Sequence, residues 1–402
     1  MSKLNLVKSI DPEIDKEILQ INADCDIFKL LSLSRTENGY VVKKFRKIPK
    51  NFDAEVLLDS TNPSKILISK ACPCANVEEL KSNLSAWNPI IMEEHASVFD
   101  ALKEMVDHIV GLESGKKYFV IPQCRVEYGI TAVNLNPNED DIFLPIKGYT
   151  NLPFTESCVV SRFDKKFYIT TKYKTNFNVL QKPHEITKEG HRIKLILSVD
   201  INNMPTLNHE GVLLSRVKNM PKKLKVEKTE MLPIIGFFDY ASVICLWNDE
   251  NNCYEFLDSW NGKFGKDLFL DFMFPKPKFV DSSTKVTSLS AAVYDLIKIM
   301  SMPPDDIKVD LKWKFTFTKD EDHPVLLEFY SLDGSQTHAS PTYLMARILN
   351  EHIRAIKKAT GKKPSKLGCR LLDEFESAEA RKRVEAGLEQ ACKLIEIGFL
   401  LV

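Results

Sequence analysis

Four segments of the chain place their apolar residues at the three- and four-residue spacing of an amphipathic helix. The best-defined segment begins with Ser340 and Pro341, an N-cap and first-turn pair, and Gly361 lies just beyond its end. The spacing therefore predicts helices over 97–110, 288–302, 340–360 and 377–397.

Much of the remaining chain carries short runs in which apolar and polar residues alternate, the pattern of half-buried β-strands. The clearest run is 309–317, where Val309 and Leu311 alternate with Asp310 and Lys312. Many short strands separated by turn residues are typical of small barrels or sandwiches. The middle of the chain is therefore expected to be rich in β-structure.

Three segments that each begin with a glycine and an apolar strand suggest an internal repeat, and they start at Gly39, Gly129 and Gly211. The first and third continue into the predicted helices 97–110 and 288–302, and each helix is followed by another strand. Three strands, one helix and two strands is the order of a five-stranded OB-type barrel. The alternative is that a β-rich chain gives such matches by chance, in which case the fold is an irregular α+β arrangement.

These patterns predict an α+β protein built from tandem small β-barrel-like modules of the OB or Tudor type, followed by a helical C-terminal segment. The chain has 402 residues, more than the roughly 250–300 that one hydrophobic core usually accommodates, so several domains are expected. The predicted division is an N-terminal extension over 1–29, β-rich modules over 30–125, 126–205 and 206–335, and a helical segment over 336–402.

Charge and cysteine content narrow the class of protein. Lys+Arg and Asp+Glu balance at 55 each, which lowers the expectation of a protein that wraps nucleic acid but leaves room for a local basic face. The nine cysteines are an odd number, and the first residues lack the apolar core of a signal peptide. No run approaches the roughly 18 apolar residues of a membrane helix. We therefore expect reduced thiols, no membrane segment and a cytoplasmic or nuclear location.

Three short motifs were tested for chemistry, and none supports it. The stretch 111–117 has the wrong glycine spacing for a phosphate loop and follows a helix instead of preceding one. Cys72 and Cys74 lack the second close pair that a zinc site needs. The stretch 258–261 resembles the Asn-Ser-Trp neighbourhood of papain-like cysteine proteases, but its first residue is Asp and it reads as a strand-end turn. The sequence assigns no catalytic residue, metal ligand or cofactor, and it favours a role that is not enzymatic.

Basic residues interleaved with aromatic residues are the remaining chemical signal. Cations that follow phosphates and rings that stack on bases are the mixture used to hold single-stranded nucleic acid. The alternative is that lysine-rich strand faces are simply solvated and that the aromatic residues form the core. The predicted nucleic-acid-binding residues are Lys43, Lys44, Arg46, Lys165, Lys166, Phe167, Lys172, Tyr173 and Lys174.

Strand parity sorts the aromatic residues of the second patch. Phe167 and Tyr173 share one side of a strand and are predicted to stack on bases, whereas Tyr168 is assigned to the core. We therefore expect a non-enzymatic interaction or scaffold protein that contacts single-stranded RNA or a ribonucleoprotein assembly and has protein partners. The alternatives are a pure protein–protein scaffold and an enzyme whose site is assembled from distant residues. A continuous basic groove would favour nucleic acid, and a deep polar pocket with converging ionisable groups would favour catalysis.

Overall fold

The computed structural model describes residues 16–49, 54–59, 62–70, 75, 77–92, 106, 110–111, 120–133, 141–173, 176–226 and 231–402. These residues form a mixed α+β protein that is mostly sheet. The sheets are open and do not close into barrels, which corrects the expectation of OB- or Tudor-type closure. The predicted helix over 97–110 lies almost wholly outside the described residues.

The N-terminal sheet has five strands in the order β3-β2-β1-β4-β5. The first three strands form an antiparallel meander, and β4 and β5 run parallel to β1. Apolar residues such as Ile21 and Leu33 are buried on its two faces. The central strand β1 belongs to a stretch that the sequence placed in an N-terminal extension. Its elements are β1 (Glu17–Ala23), β2 (Ile27–Thr36), β3 (Gly39–Pro49), α1 (Ala54–Leu58), β4 (Lys65–Lys70), α2 (Val77–Asn83) and β5 (Ile90–Met92).

The middle module consists of two open antiparallel sheets that enclose one apolar core. Alternation along the strands builds this core, because Leu195 and Leu197 of one sheet and Phe167 and Ile169 of the other point inward. Its strands are β6 (Glu127–Ala132), β7 (Phe154–Ser161), β8 (Lys166–Tyr173), β9 (Asn176–Val179), β10 (His184–Glu185), β11 (Arg192–Val199) and β12 (Pro205–Val212).

The C-terminal module is built on a six-stranded sheet in the order β15-β14-β13-β23-β24, with β16 beside β14. Its helices are α3 (Ser215–Lys218), α4 (Met220–Val226), α5 (Leu296–Ser301), α6 (Pro341–Thr360) and α7 (Ala378–Leu394). The strands of the main sheet are β13 (Ile234–Phe238), β14 (Ala241–Asn248), β15 (Cys253–Phe256), β16 (Lys266–Asp267), β23 (Lys366–Leu371) and β24 (Gly398–Leu401). Two small sheets complete the module and contain β17 (Phe269–Asp271), β18 (Lys278–Val280), β19 (Ala292–Val293), β20 (Thr316–Thr318), β21 (Leu326–Tyr330) and β22 (Gln336–Ala339).

Helices cover both faces of this main sheet. Ile235 and Phe237 of β13 face the core shared with α5, α6 and α7, whereas Ile234 and Phe238 face α3 and α4. Strands β23 and β24 run parallel to β13, so residues 336–402 contribute two strands to the sheet as well as two helices. The C-terminal helices therefore pack onto the β-structure, as α/β crossovers require.

The ends of α6 confirm the sequence prediction. The Ser340 hydroxyl accepts a hydrogen bond from the Tyr343 amide, and Gly361 takes the left-handed conformation at φ 75°. The predicted helix 288–302 is shorter than expected, since α5 begins only after Asp295, whose φ is 65°.

The predicted strand over 309–317 is also shorter, because only Thr316–Thr318 pair in a sheet. Its first half has the opposite parity to a core strand. Val309 and Leu311 are 62% and 78% exposed, whereas Asp310 bonds to Lys298 and Lys312 lies near Asp164. Ion pairing of the charged residues thus determines which side of this segment faces the protein.

The expectation of nine reduced thiols is wrong, because one disulfide is present. Cys25 is disulfide-bonded in this structure. It lies in the turn after β1, at the edge of the sheet where the neighbouring parallel strand β4 also ends. The cysteines that are free thiols in the described part of the chain are Cys124, Cys158, Cys245, Cys253, Cys369 and Cys392.

Candidate binding cleft

The first predicted basic patch lies on β3, an edge strand of the N-terminal sheet. Lys43 and Lys44 are exposed, and the register of β3 shifts beside them. Lys44 pairs with Asp59, and Arg46 donates to the Val56 carbonyl at 2.7 Å. Lysines and irregular register are also the features that protect sheet edges from pairing with other chains.

The second predicted patch lies on and beside β8, and its described cations have contacts within the protein. Lys166 pairs with Glu185 at 2.8 Å, and Lys172 lies 4.0 Å from Glu127. Lys165 is half-buried, and burial lowers the pKa of its amine. Lys174 and the Tyr173 side chain lie outside the described residues.

Phe167 does not fit the predicted stacking role. Its side chain is 0% exposed, and its ring packs edge-on against Phe143 at 5.9 Å between centroids. Parity grouped Phe167 and Ile169 correctly on one side of β8, but that side is the core. Tyr168, which was assigned to the core, is only half-buried. A base could stack on Phe167 only if this core opened.

A cleft of about 950 Å³ lies between the middle and C-terminal modules, at the carboxyl ends of β13 and β23. This is the edge where open α/β sheets bind their ligands. Arg192 and Ser161 line it from the middle module, and Asp239, Asp373 and Lys312 line it from the C-terminal module. The cleft is therefore the strongest candidate for a functional site.

A buried ion pair fixes the two walls of the cleft relative to each other. Arg162 of the middle module bonds to Asp267 of β16 at 2.6 Å, and both side chains are buried. The same guanidinium donates to the Phe264 carbonyl at 2.7 Å. His191 adds a bond to the Lys263 carbonyl at 2.6 Å. The two walls of the cleft are therefore joined by a buried ion pair and by hydrogen bonds.

Two aspartates form the inner end of the cleft. Asp239 occupies the tight turn between β13 and β14 in the left-handed conformation, at φ 46°. The Arg192 guanidinium donates two hydrogen bonds to the Asp239 carboxylate, at 2.7 and 3.1 Å. Asp373 follows β23 and accepts from Arg216 at 2.6 Å and from the Asp239 amide at 2.5 Å. Burial, and then the nearby Asp239 charge, raise the pKa of Asp373 to about 6.

The opposite wall is also internally paired. Asp295 accepts from the Trp313 indole at 3.1 Å, and burial raises the pKa of this carboxyl group. Lys298 bonds to Asp310 at 2.7 Å, and Lys312 lies 3.6 Å from Asp164. The inner charges of the cleft therefore hold one another in place.

The rim differs from the interior. Asp306, Glu374 and Glu376 are exposed lining residues with no ion pair among the described residues. Two basic lining residues also lack an ion pair there: the exposed Lys308 and the half-buried Arg383, whose guanidinium donates to the Ser301 carbonyl. The available charge at the rim is therefore predominantly acidic. A ligand with complementary cationic groups would find partners there without breaking any existing pair.

A serine–histidine pair, which has the chemistry of a nucleophile and its base, is structural in this protein. Ser242 and His352 lie 2.7 Å apart in the core of the C-terminal module, and the Trp260 indole donates to the same hydroxyl at 3.0 Å. Burial lowers the pKa of His352 to about 4, and its other ring nitrogen bonds to the Ile348 carbonyl. Both polar groups are satisfied and enclosed, so this pair stabilises the fold. The stretch 258–261 supplies Trp260 from a 3₁₀ turn.

The described residues contain no group of three or more His, Cys, Asp or Glu side chains placed to hold a metal ion. Among the described helices, none combines the length and apolar composition that crossing a bilayer requires.

The sequence did carry a signal for the inner aspartates. Asp239 directly follows a buried apolar strand and Asp373 lies two residues after another, which is where ligand-binding residues of parallel sheets lie. They are 134 residues apart, and only the parallel pairing of β13 with β23 brings them together.

No protein-family model matches this chain, and no curated protein matches its sequence. The functional argument therefore depends on the geometry of the cleft.

Proposed function

We propose that this protein is a non-enzymatic interaction protein that holds a segment of a protein partner in the cleft between its middle and C-terminal modules. The observation that carries the proposal is the division of charge in the cleft. Inner groups such as Asp239 and Asp373 are held by arginines, and the rim presents carboxylates that are not used within the described chain.

The cleft also meets the geometric criterion for an active site, since ionisable groups converge in it. Its innermost carboxylates nevertheless accept hydrogen bonds from Arg192 and Arg216, so their oxygens are already engaged within the protein. A base or nucleophile must instead be within reach of a reacting atom. Binding is thus the role that the paired interior supports better.

The test compares two matched charge reversals. Asp306→Lys combined with Glu374→Lys changes the rim, whereas Glu321→Lys combined with Asp322→Lys changes an exposed turn between β20 and β21. Both variants add the same charge. The wild type and the two variants are purified by affinity from cells, with and without nuclease, and the bound proteins are quantified.

We expect the rim variant to lose its main protein partner at least tenfold, and the turn variant to retain it in both nuclease arms. Equal capture by all three proteins would contradict the proposal. A partner that disappears with nuclease but is indifferent to the rim would favour nucleic acid.

The second candidate function is binding of single-stranded RNA on β3, and it has one specific observation in its favour. Phe45 is 47% exposed on this edge strand and shares its side with the exposed Lys47. An exposed ring beside cations is a stacking platform for bases. This candidate moves the RNA hypothesis from Phe167 to Phe45.

Phe45→Ala tests this candidate with Phe167→Ala as the matched control. Loss of Phe45 should weaken binding of an unstructured RNA by about 1–3 kcal/mol and leave the melting temperature nearly unchanged. Loss of the buried Phe167 should instead lower the free energy of unfolding by about 3–5 kcal/mol. The candidate is rejected if the wild type binds no RNA, or if Phe45→Ala binds RNA as tightly as the wild type.

The proposal includes a cytoplasmic or nuclear location. It is supported by the six unpaired cysteines in the described part of the chain, since extracellular proteins usually pair theirs. The Cys25 disulfide weighs against it.

A further inference from the structure

One segment at the rim of the cleft has backbone groups that the fold does not use. Within the described chain, the N–H and C=O groups of Ile307, Lys308 and Val309 make no hydrogen bond to backbone or side chains. These residues belong to neither a helix nor a sheet. Exposed backbone of this kind is a template on which another strand can pair.

The side chains of this segment alternate as they would in a strand. Lys308, Asp310 and Lys312 line the cleft, whereas Val309 and Leu311 between them face solvent. The alternation is strand-like only as far as Asp310. Leu311 and Lys312 lie in a turn that the Trp313 amide closes by donating to the Asp310 carbonyl at 3.0 Å. Residues 307–309 are thus a short exposed stretch of backbone, ended by this turn, to which no strand is paired.

We propose that the occupant of the cleft is an extended peptide segment that pairs with Ile307–Val309 as an added strand and alternates basic with apolar residues. This inference rests on the proposed function and names the partner's chemistry. Addition of a strand to an exposed edge is a general mode of peptide recognition, in which main-chain bonds give affinity and alternate side chains give specificity.

Charge determines one half of the peptide pattern. Side chains of an added strand that point to the same side as Lys308 and Asp310 enter the cleft, where Asp306, Glu374 and Glu376 supply the unused carboxylates. These three carboxylates outnumber Lys308 and the carbonyl-bonded Arg383, so basic residues are favoured at these positions.

Apolar contact determines the other half. The alternate side chains of the added strand stand beside Val309, and Leu311 follows in the adjoining turn; both are among the most exposed large apolar residues of the described chain. Cross-strand neighbours on one face lie about 4.5–5.5 Å apart, so a β-branched residue there would cover the Val309 side chain. The same surface at the rim of the cleft thus contacts both the basic and the apolar positions of the peptide.

The probes are two blocked ten-residue peptides, one alternating lysine with valine and the other alternating glutamate with valine. We expect the lysine peptide to bind at least tenfold more tightly than the glutamate peptide by calorimetry. Hydrogen exchange should slow at one or two of the amides 307–309, because a strand bonds to its neighbour through alternate residues. Equal binding of both peptides, or protection confined to another surface, overturns the inference.

Two variants locate the binding site independently. Val309→Pro removes one N–H donor and should weaken the lysine peptide about tenfold, and Leu311→Ser removes an exposed apolar side chain of the adjoining turn and should weaken it about threefold. Glu321→Lys is the control and should bind as the wild type does. A melting measurement on each variant identifies any loss that comes from unfolding. Undiminished binding by both folded variants also overturns the inference.

The two proposals fail in distinguishable ways. Capture of a partner that depends on Asp306 and Glu374, with no binding of the lysine peptide, leaves the cleft as a binding site and rejects the added strand. Failure of both measurements rejects the cleft.

Discussion

The N-terminal and C-terminal sheets share one strand order. They differ in what lies at the carboxyl ends of their strands, where the C-terminal sheet contacts the middle module. In each, three antiparallel strands are followed by two that run parallel to the first, and the orders β3-β2-β1-β4-β5 and β15-β14-β13-β23-β24 correspond strand for strand. Internal symmetry is therefore present in the chain. The glycine-led pattern over Gly39, Gly129 and Gly211 did not find it, since only Gly39 opens a strand.

An aspartate follows the first strand of both sheets, and its partner shows how the two regions differ. Asp24 follows β1 and pairs with Lys29 of the next strand at 3.1 Å. Asp239 follows β13 and pairs with Arg192 of a different module. The same position in the topology serves a local turn in one sheet and a contact between modules in the other.

The helices that connect the parallel strands are shorter in the N-terminal sheet than in the C-terminal sheet. The N-terminal sheet has α1 and α2 of 5 and 7 residues, whereas α6 and α7 have 20 and 17. The C-terminal sheet thus buries a larger apolar face and carries the joint to the middle module. A shared strand order does not create the cleft; a second module docked at the carboxyl edge does.

Arg162→Ala is the change expected to have the largest effect on this comparison. It leaves Asp267 buried without its partner, which should lower the free energy of unfolding by about 3–5 kcal/mol. Lys29→Ala removes a partly exposed pair of the N-terminal sheet and should cost at most about 1 kcal/mol. Denaturant unfolding followed by fluorescence measures both. Similar costs for the two variants would show that the joint is not specially stabilised.

A double variant sharpens this result. Adding Asp267→Ala to Arg162→Ala removes the uncompensated charge, so part of the lost stability should return. A further loss in the double variant would mean that Asp267 stabilises the joint through contacts other than this pair.

Local signals in the sequence predicted the C-terminal helices and little of the site. Ser340 and Gly361 mark the ends of α6 because capping depends on neighbouring residues only. The pairing of β13 with β23 joins residues over 130 positions apart, which no local pattern encodes. The cleft therefore could not be predicted, although the aspartates at its inner end follow visible strands.

The predictions from alternation along strands failed for a related reason. Alternation separates the two sides of a strand but does not say which side is buried. Phe167 is in the core because two sheets enclose that side of β8, and Val309 is exposed because Asp310 bonds to Lys298. In both cases a long-range contact decided the direction.

Reduction of the Cys25 disulfide should affect the two sheets unequally. Of nine cysteines, an intramolecular disulfide uses two, so the unreduced denatured protein should titrate about seven thiols and the reduced protein nine. Reductant should destabilise the N-terminal sheet by about 2–4 kcal/mol and leave the C-terminal sheet, whose cysteines are free, unchanged. Nine thiols in freshly isolated protein would restore the prediction of a fully reduced chain and support the proposed location.

The pH dependence of stability that Asp373 causes is the smallest expected effect. It belongs to the C-terminal sheet alone, because the corresponding residues of the N-terminal sheet, 71–74 after β4, include no acidic residue. The folded-state pKa of Asp373 is raised from 3.8 to about 6, so between these values the folded protein retains a proton that the unfolded chain has released. The free energy of unfolding must then fall as pH rises through this window. At about 1.4 kcal/mol per pKa unit the change is about 2–3 kcal/mol. Subtracting the pH profile of Asp373→Asn isolates it from His352, whose lowered pKa acts in the opposite direction. A difference between wild type and variant that stays constant from pH 4 to about 7 would contradict a buried Asp373 carboxylate at the inner end of the cleft.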